Sequence, residues 1–163
     1  MEKVLLSLHV LAAIVFVGGS AIATSLFPRY APVASGVPVG ASGAAVGSSP
    51  DAPGERNRAV AGALHRVTRG YGIAGIVVPV AGIVLAATQG RMGEIWITIS
   101  MVLTAAAGAL LALRIAPGQR DALDEPDDGT RLRGLSMLAG IYNLLWAAVV
   151  VLMIVRPGSA TGA

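Results

Sequence analysis

The chain contains no cysteine. Disulfides, thiolate metal sites, iron–sulfur clusters and cysteine nucleophiles are therefore outside its chemistry. Charge is scarce. Asp, Glu, Lys and Arg make up 13% of the 163 residues, against roughly 25% in a typical soluble domain. Lysine is nearly absent, Lys3 being the single one, so the formal charge of +3 rests on arginine. Two Phe, two Trp and three Tyr are too few aromatics to interleave with basic residues as a nucleic-acid surface requires. No nucleic-acid partner is expected. Walker A, G-x-S-x-G, H-E-x-x-H and dinucleotide-binding patterns are also missing. No catalytic residue is singled out, and the chain reads as non-enzymatic.

What is abundant is apolar. Hydrophobic residues make up 55% of the chain, and the mean hydropathy is +0.73. Crossing a hydrocarbon core of about 30 Å takes roughly 17–25 helical residues. Four runs are of that order: Val4 to Phe27, Tyr71 to Ala87, Ile95 to Leu113 and Leu135 to Val155. Long apolar runs without period-2 alternation satisfy their backbone in lipid only as helices. The expected fold is an all-α membrane protein, a four-transmembrane-helix bundle forming one membrane domain over residues 1–163. Its helices should cover about 4–27, 57–88, 95–115 and 133–155. Gly90 and Gly93 mark a short turn between the second and third helices. Pro117-Gly118 should end the third, and Arg156-Pro157-Gly158 the fourth.

Orientation follows from lysine and arginine. Loops one and three share a side and hold nine arginines: Arg29, Arg56, Arg58, Arg66, Arg69, Arg114, Arg120, Arg131 and Arg133. The other side holds Lys3, Arg91 and Arg156. The positive-inside rule then puts both termini on the outer side. The Arg-, Ala- and Gly-heavy usage suggests a high-GC bacterial genome, and hence a multi-pass protein of a bacterial plasma membrane. A secretory signal cleaved after the A-x-A pattern at Ala21–Ala23 is the competing reading. Cleavage would place the arginine-rich loop outside, and the apolar run continues to Phe27, so the first helix is expected to be retained.

Residues 28–54 are rich in Pro, Gly, Ala and Ser and read as a disordered cytoplasmic loop. Beyond it, Val60, Leu64, Val67 and Tyr71 recur at helical spacing, so the second helix should begin well before its apolar part. Arg58, His65 and Arg69 share one face of that extension. They are candidates for contact with anionic lipid or a partner protein, set against a solvated helix end with snorkelling side chains. Residues 116–132 read as an acidic/basic cytoplasmic loop containing Asp121, Asp124, Glu125, Asp127 and Asp128. This cluster lacks the spacing and glycine of an EF-hand, which favours a charge-balanced solvated loop over a cation site.

Within the apolar spans His9 is the one ionisable group, and such groups are functional candidates by default. It should lie about 8 Å inside the outer end of its helix. His65 should be some 20 Å or more away along the membrane normal, which disfavours a bis-histidine haem. Ser100 and Met101 of the third helix should share His9's level, with Met153 nearby. His9 with Met101 would suit Cu(I). A b-type haem would need His9 plus a non-histidine ligand, or His9 of a second subunit. The plainer reading is a neutral imidazole hydrogen-bonded between helices, with no cofactor. Ser20, Ser100 and Asn143 read as buried polar packing groups. Gly72, Gly75, Pro79 and Gly82 form a small-residue stripe for close helix approach, as do Ser100, Thr104 and Gly108. Pro79 should kink its helix.

The stretch LHVLAAIVFVGG (Leu8 to Gly19) resembles the first-helix pattern L-H-x-x-x-A-x-x-W/F-x-G-G of copper-resistance-D-like membrane proteins. LFPRYA (Leu26 to Ala31) together with IYNLLWAAVVVLMIVRPG (Ile141 to Gly158) is most similar to an uncharacterised actinobacterial four-helix membrane family. The first resemblance implies copper passage or delivery, and a remoter histidine-in-first-helix family implies haem-dependent porphyrin oxidation. His9 is the position that maps onto both. The expectation is a small integral membrane protein with an accessory or structural role. Its partners would be the lipid bilayer and a homo-oligomer or larger membrane complex. The alternatives are copper or haem binding or transfer through His9, and an oligomeric small-solute or proton channel lined by His9, Ser20, Ser100 and Asn143.

Overall fold

A computed structural model describes residues 2–34, 56–74, 77–88, 90 and 92–158. The described residues are all-helical, without strands. In chain order they form α1 (Glu2–Tyr30), α2 (Arg58–Ala74), α3 (Val77–Thr88), α4 (Ile95–Leu110), a π-helical turn (Leu111–Ile115), α5 (Ala116–Asp124) and α6 (Thr130–Val155). Three helical stretches are long and apolar enough to cross a membrane: Leu6–Tyr30, Ile95–Asp124 and Thr130–Val155. The second expected span divides into α2 and α3, of 17 and 12 residues, on either side of two residues outside the described set.

The helices pack chiefly as α1 on α2 and α6, α4 on α6, and α2 on α5. Burial is concentrated toward one end. Phe27, Ala31, Ala61, Ala122, Leu132 and Leu135 form a core among α1, α2, α5 and α6. A second cluster, Ala107, Leu111, Ile115 and Tyr142, joins α4 and the π turn to α6. In the N-terminal part of α1 the apolar side chains Val4, Leu8, Leu11 and Ile14 are exposed instead. Within the three long helices only 17–28% of the most apolar window is buried. That much outward-facing hydrocarbon suits lipid rather than water.

The third helical run continues past the Pro117-Gly118 signal to Asp124, so much of the loop expected over 116–132 is helical. The π turn explains this. The Ala116 N–H bonds to the Leu111 carbonyl, five residues back. This restarts the hydrogen-bond ladder and leaves Pro117 in the first turn of α5, where its missing N–H breaks nothing. The kink expected at Pro79 falls beside residues 75–76, outside the described residues. Gly75 and most of the loop expected as disordered, residues 35–54, lie outside the described residues. The first part of that loop is ordered: α1 runs through Pro28 to Tyr30, and the Ala34 N–H bonds to the Asp127 carbonyl.

Several polar and charged residues at the C-terminal end of α1 and around it serve as helix caps. Asn57 Oδ1 accepts from the N–H groups of Ala59 (2.9 Å) and Val60 (3.2 Å), capping α2. The Arg56 guanidinium donates to the carbonyls of Ala31 (2.7 Å) and Pro28 (3.4 Å) at the end of α1. Arg131 donates to the carbonyls of Asp121 (2.8 Å) and Glu125 (3.1 Å), closing α5. Asp127 accepts from the N–H groups of Gly129 (2.9 Å) and Arg131 (3.0 Å), and Asp128 from that of Thr130 (3.0 Å), together capping α6. Gly129 enters α6 at φ 91°, a left-handed conformation suited to glycine. At the other end, Arg156 lies over the Trp96 ring, 5.9 Å from its centroid, and Trp96 Nε1 donates to the Glu94 carboxylate. These contacts tie the start of α4 to the end of α6.

A candidate intramembrane polar site

Successive residues on one face of α1 are His9, Phe16, Ser20, Thr24 and Phe27, spaced so that each points toward the neighbouring helices. Ser20 is buried, and its hydroxyl lies 2.7 Å from the Tyr142 hydroxyl of α6. It also donates to the Val17 carbonyl at 3.1 Å. The Thr24 hydroxyl is satisfied within α1, at the Ser20 (2.9 Å) and Ala21 (3.2 Å) carbonyls. Asn143 reaches back to α1 as well, its Nδ2 donating to Ser25 Oγ at 3.0 Å. The interhelical bond expected of Asn143 is therefore present, with Ser25 as its partner. Asn143 Oδ1 is buried without one.

Beside Asn143, an open apolar groove of about 390 Å³ runs between α1 and α6, lined by residues including Val17, Ala21, Trp146 and Val150. Among the described glycines the tightest helix approach is at Gly19. A Cβ on Gly19 would fall 2.3 Å from the Tyr71 hydroxyl oxygen and 2.4 Å from Cζ, whereas one on Gly18 would meet nothing within 4 Å. Tyr71 in turn packs edge-on against Phe16, with ring centroids 5.7 Å apart.

His9 is half-buried near the N-terminal end of α1, and its Nδ1 is buried without a hydrogen-bond partner. α3 passes close to it at Gly82, where an added Cβ would sit 3.7 Å from His9 Cε1. Ser100 Oγ and Trp146 Nε1 are likewise buried and unpartnered. Met101 is 39% exposed on α4, a helix packed mainly on α6. No group of three or more His, Asp or Glu side chains suited to a metal ion occurs among the described residues. The site residues expected from sequence thus divide. Ser20 and Asn143 join α1 to α6 through separate hydrogen bonds, while His9 and Ser100 each hold an unsatisfied polar atom.

On α2, His65 is half-buried rather than part of an exposed basic stripe. Its Nδ1 lies 3.4 Å from Oε1 of Gln119, a residue 1% exposed on α5. Thr68, one turn further along α2, is fully buried with its hydroxyl unpartnered. Arg58 and Arg69 remain exposed. Sequence reasoning missed Tyr142, Ser25, Gln119 and Thr68. Tyr142 and Ser25 could have been found from their positions on the packed faces of α6 and α1. Gln119 was hidden by the proline–glycine signal that seemed to end the helix before it.

No protein-family model matches the chain, and neither does any curated protein or solved structure.

Proposed function

We propose that the chain is a four-span integral protein of a bacterial plasma membrane, both termini outside, with an accessory or structural role rather than a catalytic one. The observation that carries this reading is how the apolar and polar surface is used. The long helices turn most of their apolar side chains outward, and Ser20, Tyr142, Ser25 and Asn143 are spent on helix-to-helix hydrogen bonds. In hydrocarbon such bonds hold helices together and contribute about 0.6–2 kcal/mol each. The arrangement suits a scaffold that presents helix faces to lipid or to other subunits. Topology is tested by introducing single cysteines at Glu2, Gly90 and Glu125 and labelling intact cells with a membrane-impermeant maleimide. Labelling of the first two but not the third fits the proposal, and the reverse pattern overturns it.

One observation favours a second reading. His9 Nδ1, buried and unpartnered in the outer half of α1, is the kind of donor a haem iron or copper ion takes. The purified protein would then carry a Soret band or stoichiometric copper that disappears in His9→Ala. A colourless, metal-free preparation would sink this reading.

A further inference from the structure

The nine arginines of the inner end are not equivalent. Arg56 and Arg131 are committed to helix carbonyls. Arg120 pairs with Asp124 at 3.5 Å, Arg66 donates to the Gly62 carbonyl, and Arg133 donates to the Thr130 hydroxyl. Arg29, Arg58, Arg69 and Arg114 are exposed and make no ion pair or hydrogen bond among the described residues. Two of these four occupy matched positions. A side chain at Gly72 of α2 would meet Leu111 of the π turn at 4.0 Å, so the two elements touch there. His65 meeting Gln119 shows that α2 runs antiparallel to the π turn and α5. Arg69 and Arg114 each lie three residues inward of the Gly72–Leu111 contact, about 4.5 Å along their axes. The same level is where the apolar sequence stops. Arg114 directly follows the run ending at Leu113, and Arg69 is the last charge before the run beginning at Tyr71.

From this placement we infer that Arg69 and Arg114 bind the phosphate of an anionic phospholipid headgroup at the inner edge of the bilayer. Guanidinium groups bond phosphate oxygens in pairs, and an unpaired arginine at headgroup depth has anionic lipid as its nearest available counter-charge. The committed arginines are held lower in the inner end, on carbonyls and carboxylates, and take no part. His65, though on the same face of α2, is turned to Gln119 and is not a member of the site. The inference rests on the membrane-spanning reading but not on which face is cytoplasmic. Lipid binding by the purified chain can therefore fail while the topology holds, or hold while the topology fails.

The test uses the full chain in a neutral detergent, with short-chain phosphatidylglycerol, short-chain phosphatidylcholine and inorganic phosphate as separate probes. Binding is read by native mass spectrometry or thermal shift. The wild type should prefer phosphatidylglycerol by about ten-fold or more. Each arginine near a membrane surface is worth about 1 kcal/mol, or roughly five-fold in affinity. R69Q/R114Q should therefore lose about twenty-five-fold and with it the preference. R120Q, which removes the same kind of charge from a residue already paired, should stay within about two-fold. R69K/R114K should keep most of the preference. Helical circular dichroism reports folding, and if R69Q/R114Q does not fold, R114Q alone carries the comparison. Equal binding of both lipids, an equal loss in R120Q, or competition by inorganic phosphate as strong as by phosphatidylglycerol would each overturn the inference.

Discussion

The two adjacent glycines of α1 allow a test in which most confounding terms cancel. Gly18→Ala and Gly19→Ala make the same chemical change one residue apart in the same helix. Both gain the roughly 0.8–1.0 kcal/mol by which alanine exceeds glycine as a helix former. They differ in what the new methyl meets. At Gly18 there is open space within 4 Å. At Gly19 the Cβ would sit 2.3–2.7 Å from three atoms of the Tyr71 ring and hydroxyl, closer than any real contact. Tyr71 must swing away, and it cannot do so without leaving its edge-on contact with Phe16. Forcing a packed side chain off its position costs about 1–3 kcal/mol. With the helix term acting alone, Gly18→Ala should be stabilised by up to about 1 kcal/mol. Gly19→Ala should lie about 1–3 kcal/mol below it. Thermal unfolding of the detergent-solubilised protein, followed by circular dichroism, measures the gap directly. In the double variant Gly19→Ala/Tyr71→Ala the clash is gone, so the penalty at position 19 should disappear. Equal melting of the two alanine variants would refute the packing of α1 on α2 described above.

The Ser20–Tyr142 pair should respond asymmetrically. Tyr142→Phe leaves the Ser20 hydroxyl bonded to the Val17 carbonyl, whereas Ser20→Ala strands a buried phenol. Ser20→Ala should therefore cost about 1–3 kcal/mol, and Tyr142→Phe no more than the roughly 0.6–1.7 kcal/mol of an interhelical bond, both read by chemical unfolding in micelles. At the start of α6, Asp127→Ala removes the acceptor for two backbone N–H groups and should cost about 0.5–2 kcal/mol, with faster amide exchange at Gly129 and Arg131. Neighbouring Asp128 has its pKa held below the usual carboxylate range by hydrogen bonds from the Thr130 side chain and backbone. A lowered folded-state pKa stabilises above the unfolded value of about 3.9, and the contribution fades as pH falls through the folded one. The protection factor of the Thr130 amide, its exchange measured against the intrinsic rate at each pH, should accordingly fall only in that acid window, and Asp128→Asn should remove the change. A protection factor at Thr130 that stays constant through the window would contradict it.

How far the sequence could be read follows from which interactions are local. Apolar runs announce membrane-length helices because the requirement is additive along the chain, and three of the four expected spans have the length and composition for it. Asn57 ahead of α2 and the Asp127-Asp128-Gly129 step ahead of α6 are also short-range signals, since a cap and its N–H groups lie within four residues. Helix ends were misread where local signals conflict. Pro117-Gly118 stops an ordinary α-helix, and nothing in the neighbouring residues announces the π turn that absorbs it. That single error also hid Gln119, which read as a loop residue but packs on α2 at 1% exposure.

The polar groups of the apolar spans are visible in the sequence, but their partners are not. Which side chain a buried hydroxyl meets depends on helix rotation and register, and a uniformly apolar helix states these only weakly. The three hydroxyls of α1, Ser20, Thr24 and Ser25, make two kinds of bond. Thr24 bonds back to its own helix, while Ser20 and Ser25 reach Tyr142 and Asn143 of α6. Bonds of the first kind form in an isolated helix and say nothing of assembly. Bonds of the second kind exist only once α1 and α6 are docked, so they fix register as well as proximity. Tyr142 and Asn143 are adjacent, and adjacent residues on a helix diverge by about 100°. Engaging both from one neighbouring helix leaves α6 little freedom to rotate against α1. This pairing, more than the apolar surface around it, gives a helix pair in lipid one preferred arrangement, because lipid tails solvate every apolar face alike.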